Sequence, residues 1–247
     1  MRKIFVISLA AAVLACAACK KDEPVVYNGD GGITPVPEAV DLGIYADKKG
    51  GGDYCVKWAS FNLGASSEEQ SGDYLAWGEI TPKHNYSWDT YKWATDDQKL
   101  TKYCSNQDSW TGKSKKCDKK TRLDPGDDAA TVRLGGKWRM PTKLEMEGLL
   151  ATKSDTEHYS WEYQTISGMK GWRITWLETG ANIFIPQACN YEGAAFNPYF
   201  PQSGSYWTSD LDNDIMANFA FFNEKNPPYI ISHERIEGMT IRPVYVE

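Results

Sequence analysis

The chain contains few of the residues that catalysis and metal binding usually require. Its three histidines, His84, His158 and His233, are far apart and never occur at an H-x-x-x-H spacing. Zinc is not indicated, because protein zinc sites use clustered His and Cys ligands. The sequence also lacks a G-x-S-x-G turn, which presents the nucleophilic serine of many hydrolases. We therefore see no catalytic motif and do not expect an enzyme.

Positive charge is also scarce. Lys and Arg total 27 against 33 Asp and Glu, which gives a formal net charge of -6 at pH 7. The one basic cluster, 113–120, is interrupted by Cys117 and Asp118, whereas nucleic-acid binding depends on clustered Lys and Arg. We expect no nucleic-acid partner and interpret the cluster as a solvated loop.

The longest apolar run stands at the N-terminus. Two basic residues precede a run over 4–18 that is broken by Ser8 alone, which is typical of a secretory signal and too short for a stable membrane span. Residues 13–15 resemble a bacterial lipobox before Cys16, the cysteine that would be acylated, and Cys19 is the alternative. We expect a lipid-anchored protein of the bacterial outer membrane or cell surface that contacts the membrane through the lipid only.

Composition divides the chain into three segments. We predict a lipoprotein signal peptide at 1–18, a flexible tether rich in Gly and Pro at 19–37, and a single domain at 38–247. About 210 residues suit one α+β domain better than two domains.

Two helices are predicted between Leu123 and Leu150. Asp124 is expected to cap the first, at about 125–134, and the Gly-Gly pair that follows would end it. Thr142 and Glu145 form a T-x-x-E capping box, which predicts the second helix at about 143–152.

Strand patterns are more frequent than helical ones. Short runs of β-branched and aromatic residues are bounded by Gly, Pro, Asn or Asp. The predicted strands are 40–44, 54–61, 171–177, 182–188, 206–209, 219–222, 229–232 and 240–246.

Four cysteines follow the signal. In an oxidising compartment they suggest two disulfides, with three possible connectivities. We favour Cys104 with Cys117, because the segment between them is polar and loop-like. Cys55 with Cys189 then follows by elimination. Closing the short loop would contribute about 3 kcal/mol by the chain-entropy argument.

Several sequence blocks resemble a known family. VKWASFNLGA, GDYLAWGEITP, LDPGDDAA with GGKWRMPT, YWTSD and IRPV look like the major paralogous domain of Fibrobacter succinogenes and its bacterial surface-lipoprotein relatives. More distantly, DDAA with G-x-W-R-M-P-T-x-x-E-M-E is similar to formylglycine-generating enzymes and C-type-lectin-like domains. The resemblance implies a C-type-lectin-like fold, with small twisted antiparallel sheets, two short helices and long loops that display a binding surface.

The same resemblance would imply oxidase activity, but the number of cysteines argues against it. Formylglycine-generating enzymes bind copper through a close pair of cysteines late in the chain. Here 118–247 contains Cys189 alone, so a second thiolate ligand is missing.

Aromatic residues indicate ligand binding. The chain has 10 Trp and 14 Tyr, and such rings can stack against sugars or peptides while short polar side chains fix orientation. We expect Trp58, Trp77, Trp138 and Trp207 in the core, and a ligand site in the loops after residue 189. The candidate ligand-binding residues are Tyr191, Phe196, Tyr199, Asp210, Asp212, Asn213 and Asp214.

Calcium is the one cofactor that the sequence raises. The D-L-D-N-D spacing makes Asp210, Asp212 and Asp214 candidate ligands for this hard cation. Neither an EF-hand glycine with its terminal glutamate nor an E-P-N motif is present. We otherwise expect no cofactor.

Three functions remain open at this point. The first is a surface recognition module for an extracellular glycan or protein ligand. The second is a structural or adhesive component of a surface fibre or multiprotein assembly. The third is a carbohydrate-active hydrolase, which would need two carboxylates at a defined separation, and the 33 acidic residues do not identify such a pair.

Overall fold

The computed structural model describes residues 26–27, 33–48, 52–95, 99–105, 117–197 and 202–247. The expected signal peptide, the two candidate anchor residues Cys16 and Cys19, and the candidate binding residue Tyr199 lie outside these ranges. Among the described residues, no helix has the length and apolar character needed to cross a membrane.

Short strands dominate the architecture. The strands are β1 Val26–Tyr27, β2 Ile33–Thr34, β3 Ala39–Lys48, β4 Gly52–Ala59, β5 Trp138–Arg139, β6 Tyr159–Ile166, β7 Met169–Trp176, β8 Asn182–Pro186, β9 Tyr191–Glu192, β10 Ala195–Phe196, β11 Ser203–Leu211, β12 Met216–Asn223, β13 Tyr229–Glu234 and β14 Val244–Val246. The helices are α1 Ala129–Leu134 and α2 Lys143–Ala151, with single 3-10 turns at Trp88–Thr90 and Thr152–Ser154. Small sheets with few helices agree with the predicted α+β class.

The strands form antiparallel sheets. One sheet has the order β3-β4-β14-β5, a second β11-β12-β13 and a third β6-β7-β8. The pairs β1-β2 and β9-β10 form two-stranded ribbons. In the first sheet, β14 lies between β4 and β5 and pairs antiparallel with both.

The predicted strands are present with shifted bounds, and six observed strands were not predicted: β6 and the two-residue strands β1, β2, β5, β9 and β10. β6 pairs with β7 along its whole length, but most of its residues are half-buried on both faces. Its sequence, YSWEYQTI, alternates aromatic and polar residues over 159–164, and the three aromatic side chains pack against one apolar cluster. The pattern typical of a half-buried strand is therefore present in this segment, although no strand was predicted there.

The second helix agrees with its sequence pattern. The Glu145 N–H donates to Thr142 Oγ1 at 3.2 Å, and the Thr142 N–H donates to Glu145 Oε2 at 2.8 Å. This reciprocal pair satisfies two N–H groups that the start of a helix leaves without partners.

The predicted start of the first helix is wrong by several residues. Asp128, not Asp124, is the N-cap, and its carboxylate accepts the Thr131 N–H at 2.9 Å. The Asp124 carbonyl instead accepts the N–H groups of Asp127 and Asp128, which closes a turn before the helix. Asp128 is preferred because its carboxylate also accepts the Met140 N–H, which ties α1 to the chain after β5.

Two apolar clusters lie on opposite faces of the β11-β12-β13 sheet. Trp207 and Phe219 face one cluster, while Tyr206 and Phe222 face the other, as the alternation of side chains along a strand requires. α2 packs into the second cluster through Met146 and its neighbours. The four tryptophans expected in the core are buried there.

Two arginines are fully buried in this core. Arg242 donates to Asn62 Oδ1 and to the carbonyls of Ala59 and Phe184, at 2.7–2.9 Å. Burial lowers the pKa of Arg242 to about 10, so the guanidinium remains protonated at neutral pH. Its charge is held by neutral oxygens, without an ion pair to any described carboxylate.

Arg235 is held in a similar way. It donates to the Tyr91 hydroxyl at 2.7 Å and to the carbonyls of Tyr103 and Asp214 at 2.9 Å. The guanidinium also lies 5.1 Å from the ring centroids of Trp77 and Tyr91, within the range of a cation–π contact.

One of the two expected disulfides is present. Cys104 and Cys117 are bonded, with a Cα–Cα distance of 5.1 Å, which confirms the first pair. The expected Cys55–Cys189 bond is not formed. Cys55 in β4 points to Asp41 Oδ2 at 3.6 Å, whereas the Cys189 thiol faces the Asn190 carbonyl at 3.7 Å. The prediction of this second pair by elimination failed because it assumed that all four cysteines form disulfides.

Candidate functional site

A groove opens beside the start of α2. Its outer part, the outer groove, has a volume of about 590 Å³, within the range of 300–1,000 Å³ that is common for ligand sites. The lining residues are Tyr54, Arg122, Thr142, Lys143, Leu144, Glu147, Asp210, Leu211, Asp212 and Asn218. They come from β4, the segment before α1, the first turns of α2 and the β11-β12 hairpin.

A smaller cavity, the inner pocket, adjoins the outer groove. Its volume is about 200 Å³, and it shares Tyr54, Arg122 and Thr142 with the outer groove. The other residues that line it are Leu123, Pro125, Asp128, Thr131, Arg139 and Ser209.

Asp210 joins the walls of the outer groove. Its Oδ2 accepts the Lys143 N–H at 2.7 Å, and its Oδ1 accepts the Arg122 Nε–H at 2.7 Å. Both interactions are charge-assisted, because one donor is at the positive end of α2 and the other is a guanidinium. Asp210 therefore fixes β11, α2 and the segment before α1 relative to one another.

A buried acid, Glu145, holds two of the side chains that line the inner pocket, Tyr54 and Arg139. The Arg139 guanidinium binds both oxygens of Glu145, at 2.7 and 2.5 Å, and the Tyr54 hydroxyl donates to Glu145 Oε1. Burial would raise the pKa of Glu145, but the hydrogen bonds from Arg139 and Tyr54 hold it below its usual value. Burial, together with Glu145, raises the pKa of Tyr54 to about 12, so the phenol stays protonated and donates.

Asp128 reaches the inner pocket as the N-cap of α1. Burial raises its pKa, although the backbone N–H groups of Thr131 and Met140 oppose the shift. These bonds use both carboxylate oxygens, and Asp210 also uses both of its oxygens. Each acid therefore has a structural role, and general acid–base work would require breaking these contacts.

Several donors in the groove keep unused capacity. The Arg122 side chain is 60% exposed, and among the described residues its terminal nitrogens have no acceptor. The hydroxyl of Ser209 also has no partner within the described ranges, but it is buried and not accessible from the groove. Leu144, 51% exposed, adds apolar surface. The groove can thus bind a ligand that combines hydrogen-bonding groups with apolar faces.

The predicted binding residues separate into two places, and only some of them line the groove. Asp210 and Asp212 do so. Asn213 instead shapes the hairpin turn, since its Oδ1 accepts the N–H groups of Ile215 and Met216 at 3.0 Å. Asp214 is buried and accepts both the N–H and the hydroxyl of Ser105 at 2.9 Å.

Tyr191 and Phe196 form a second feature outside the groove. Their ring centroids lie 4.2 Å apart in the β9-β10 ribbon. Tyr74 contacts both rings edge-on, at 4.9 and 5.5 Å. Phe196 is 50% exposed, so this aromatic cluster presents one ring to solvent while the others support it.

The three candidate calcium ligands do not converge. Asp210 binds Arg122, the Asp212 carboxylate accepts the Ser232 hydroxyl at 3.1 Å, and Asp214 binds Ser105. The strand register shifts between Trp207 and Leu211, which alters the side-chain directions that regular alternation predicts. Across the described ranges, no group of three or more His, Cys, Asp or Glu side chains is placed to hold a metal ion.

Most of the groove residues were not predicted from the sequence. Tyr54 and Ser209 were assigned only to strands, Lys143 and Glu147 only to the second helix, and Arg122 was given no role. The local signals were the T-x-x-E box, which fixes the start of α2 and thus one wall, and the D-L-D-N-D run, which contains Asp210 and Asp212. The other walls come from distant segments, so no spacing in the sequence reveals them.

Comparisons of the chain with protein-family models, with curated proteins and with solved structures give no match. The function is therefore inferred from the chain's own sequence and from the geometry of the groove.

Proposed function

We propose that the chain is a recognition module of C-type-lectin-like fold that binds a glycan in the outer groove at a bacterial cell surface. The observation that carries the proposal is the groove itself, with its mixture of charged, hydroxyl-bearing and apolar lining. Ligand sites are typically concave, with a few polar groups placed among apolar ones.

A glycan suits this lining better than a lipid or a nucleic acid does. Sugar hydroxyls both donate and accept hydrogen bonds, so they can pair with Arg122 and with the Asp212 carboxylate at the same time. The ring of Tyr54 and the side chain of Leu144 offer apolar surface to the C–H faces of a sugar. The alternative is a protein ligand that presents the same mixture of hydrogen-bonding and apolar groups, and the array experiment below distinguishes it from a glycan.

The N-terminal sequence supports the location. The lipobox-like residues before Cys16, with Cys19 as the alternative, favour attachment through an acylated cysteine. Mass spectrometry of the mature N-terminus tests this: a diacylglyceryl-modified cysteine at either position is expected, and an unmodified N-terminus without acyl chains would contradict the anchor.

A glycan array probed with the full-length chain tests the binding proposal. We expect retention on neutral polysaccharides, and Arg122→Ala should weaken it by about tenfold, because a charge-assisted hydrogen bond contributes about 1.5 kcal/mol or more. Lys120→Ala is the matched control, since Lys120 is an exposed cation paired with Asp124 and does not line the groove.

Three results would overturn this function. The groove would have no role in recognition if the chain bound no glycan, or if Arg122→Ala bound as tightly as the unsubstituted chain. Cleavage of a polysaccharide that is abolished by substitution of one groove carboxylate would favour a hydrolase. Exchange of a terminal strand between copies, or a co-purifying set of surface proteins, would favour the structural alternative.

A further inference from the structure

Arg122 is the residue of the inner pocket whose hydrogen-bonding capacity is both unused and accessible. It lines the inner pocket as well as the outer groove, and its side chain is 60% exposed. Its Nε–H donates to Asp210, and within the described part of the chain its two terminal nitrogens have no acceptor. A guanidinium carries N–H donors on all three nitrogens, so the terminal ones remain available to a ligand.

Most other polar side chains of the inner pocket already have partners. The Tyr54 hydroxyl and the Arg139 guanidinium bind Glu145, and the Asp128 carboxylate accepts backbone N–H groups with both oxygens. The Ser209 hydroxyl is buried and not accessible from the pocket. A group that enters is therefore favoured if it presents an acceptor to the free guanidinium donors.

Two rings give the inner pocket an apolar side. Pro125 is exposed, and Tyr54 is half-buried with its hydroxyl used by Glu145. Both line the inner pocket together with Arg122. Contact between apolar groups removes their surface from water, which is favourable. An entering group thus gains affinity if it carries an apolar carbon as well as an acceptor oxygen.

The size of the inner pocket limits what can enter. At about 200 Å³ it is below the usual range for a whole ligand, but it continues into the outer groove through Tyr54, Arg122 and Thr142. It can therefore accept a small substituent of a sugar that is bound in the outer groove.

The existing ion pairs favour a neutral substituent. Asp210 balances Arg122, and Glu145 balances Arg139. A neutral carbonyl oxygen can therefore accept the free N–H groups without adding an unbalanced charge. A carboxylate can also pair with Arg122, but it has no apolar carbon to place against the two rings.

We infer that the inner pocket takes the acetamido group of an N-acetylhexosamine. The carbonyl oxygen of that group accepts from the terminal nitrogens of Arg122, and its methyl group contacts the rings of Tyr54 and Pro125. This inference rests on the glycan recognition proposed above and narrows it to polysaccharides that contain N-acetylated sugars. A hexose with a hydroxyl in this position lacks the methyl group, and an unacetylated hexosamine brings an ammonium group toward Arg122.

Titration calorimetry of the full-length chain with defined sugars tests the inference. The probes are soluble trisaccharides of glucose and of galactose whose terminal sugar carries an acetamido, a hydroxyl or an amino group at C2, with further probes that end in the matching uronic acid. At least one acetamido probe should bind about tenfold more tightly than its hydroxyl counterpart, because it gains a stronger hydrogen bond and a buried methyl group. The amino and uronic acid probes should bind more weakly than the acetamido probe.

Arg122→Ala should reduce the preference for acetamido over hydroxyl from about tenfold to about threefold, the part that the methyl contact supplies. Lys120→Ala is the matched control, because Lys120 is an exposed cation that lines neither cavity. It should retain the full preference. The ratio of the two affinities is the measured quantity, so a uniform loss of binding does not imitate the effect.

Pro125→Ala separates the two cavities, because Pro125 lines the inner pocket but not the outer groove, whereas Arg122 lines both. It should lower affinity for the acetamido probe by about threefold and leave affinity for the hydroxyl probe unchanged. Pro82→Ala is the matched control, since Pro82 is also an exposed proline but lines neither cavity. It should bind both probes as the unsubstituted chain does.

The outcomes separate this inference from the proposed function. If array glycans bind and Arg122→Ala weakens them, but no acetamido probe exceeds its hydroxyl counterpart, the inference is overturned and the proposed function stands. The same holds if a uronic acid probe binds more tightly than the acetamido probe, or if the full preference persists in Arg122→Ala or in Pro125→Ala. If neither the array nor any trisaccharide shows binding, both proposals fail.

Discussion

Arg242 in the core and Arg122 in the groove have the same side chain but differ in burial and in the number of hydrogen bonds that they donate. Arg242 is fully buried and donates from all three of its nitrogens to protein oxygens. Arg122 is largely exposed and, within the described part of the chain, uses only its Nε, toward Asp210. The first arginine joins segments that are far apart in the chain, whereas the second keeps donors available.

The contrast extends to the surrounding residues. In the core, Arg235 is also enclosed by oxygens and rings, while in the inner pocket Ser209 is buried without a described partner. Removing a satisfied polar group therefore damages folding, because its partners remain buried and lose their hydrogen bonds. Removing an exposed group with unused donors, such as Arg122, should affect binding and leave folding nearly intact.

The largest expected effect is that of Arg242→Met. The substitution leaves the Ala59 and Phe184 carbonyls and Asn62 without their donors, which should lower the free energy of unfolding by on the order of 4 kcal/mol. Urea denaturation at pH 7 measures this as a lower midpoint with an unchanged slope.

The matched control for that comparison is Arg122→Met. It should lower the free energy of unfolding by less than about 0.5 kcal/mol, because Arg122 is exposed. Equal losses in the two variants would show that the distinction between core and groove arginines is wrong.

Removal of the disulfide should rank second. Cys104 and Cys117 are separated by 13 residues in sequence, and closure of a loop of this length contributes about 3 kcal/mol by the chain-entropy argument. The bond adjoins Lys102 and Tyr103, whose carbonyls accept Arg235. The Cys104→Ala, Cys117→Ala double variant should therefore show a lower melting temperature but unchanged glycan binding.

Cys55→Ala serves as the control for the disulfide, since Cys55 is half-buried and not disulfide-bonded. It should change the melting temperature far less than the double variant. A loss of glycan binding in the folded double variant would contradict the separation of the core from the groove.

Glu145 tests the boundary between the two regions, because it is buried but binds Tyr54 and Arg139, which line the inner pocket. Its pKa lies below the usual value, so its contribution to stability is present above the unfolded-state pKa of about 4.3 and is lost as pH falls through the folded-state pKa. Glu145→Gln should lose about 2 kcal/mol at pH 7.

Denaturation between pH 3 and pH 7 measures the effect: the stability of Glu145→Gln should depend less steeply on pH than that of the unsubstituted chain. Glu147→Gln, an exposed change two residues further along α2, should retain the steep dependence. If Glu145→Gln still lost stability steeply as pH fell, that loss would come from other carboxylates.

The smallest effect is expected at His233, outside the groove. Its Nδ1 lies 2.7 Å from the buried Glu237 carboxylate, and that hydrogen bond raises the pKa of His233. The stabilisation is therefore fully present below pH 6.5 and is lost as pH rises through the folded-state pKa. With the side chain 47% exposed, the total should be below about 1 kcal/mol.

An NMR titration of the His233 ring proton checks the direction, with Glu237→Gln as the comparison. The pKa should fall toward 6.5 in Glu237→Gln, and a value at or below 6.5 in the unsubstituted chain would contradict the ion pair.

Sequence patterns predicted the parts of the fold that local interactions determine. The box formed by Thr142 and Glu145 spans one turn and needs no distant partner. In D-P-G-D-D, by contrast, both Asp124 and Asp128 are good N-caps, and the choice between them depends on Met140, which the local pattern does not include.

The groove could not be predicted in the same way. Tyr54, Arg122 and Ser209 meet only because three distant segments pack together. The D-L-D-N-D spacing identified Asp210 and Asp212, which line the groove, but it did not show that Asp214 is held by Ser105 on a different side of the hairpin. Spacing alone did not identify the partner of each side chain, because tertiary packing determines it.

Strand β14 is the last strand of the first sheet to become available during synthesis. Val244–Val246 lie between β4 and β5 and supply hydrogen bonds to both. A chain synthesised from its N-terminus cannot close this sheet until these residues have left the ribosome, although β3 and β4 can pair earlier. A product that stops before Val244 therefore leaves two strand edges open, and such edges are prone to aggregation and to degradation.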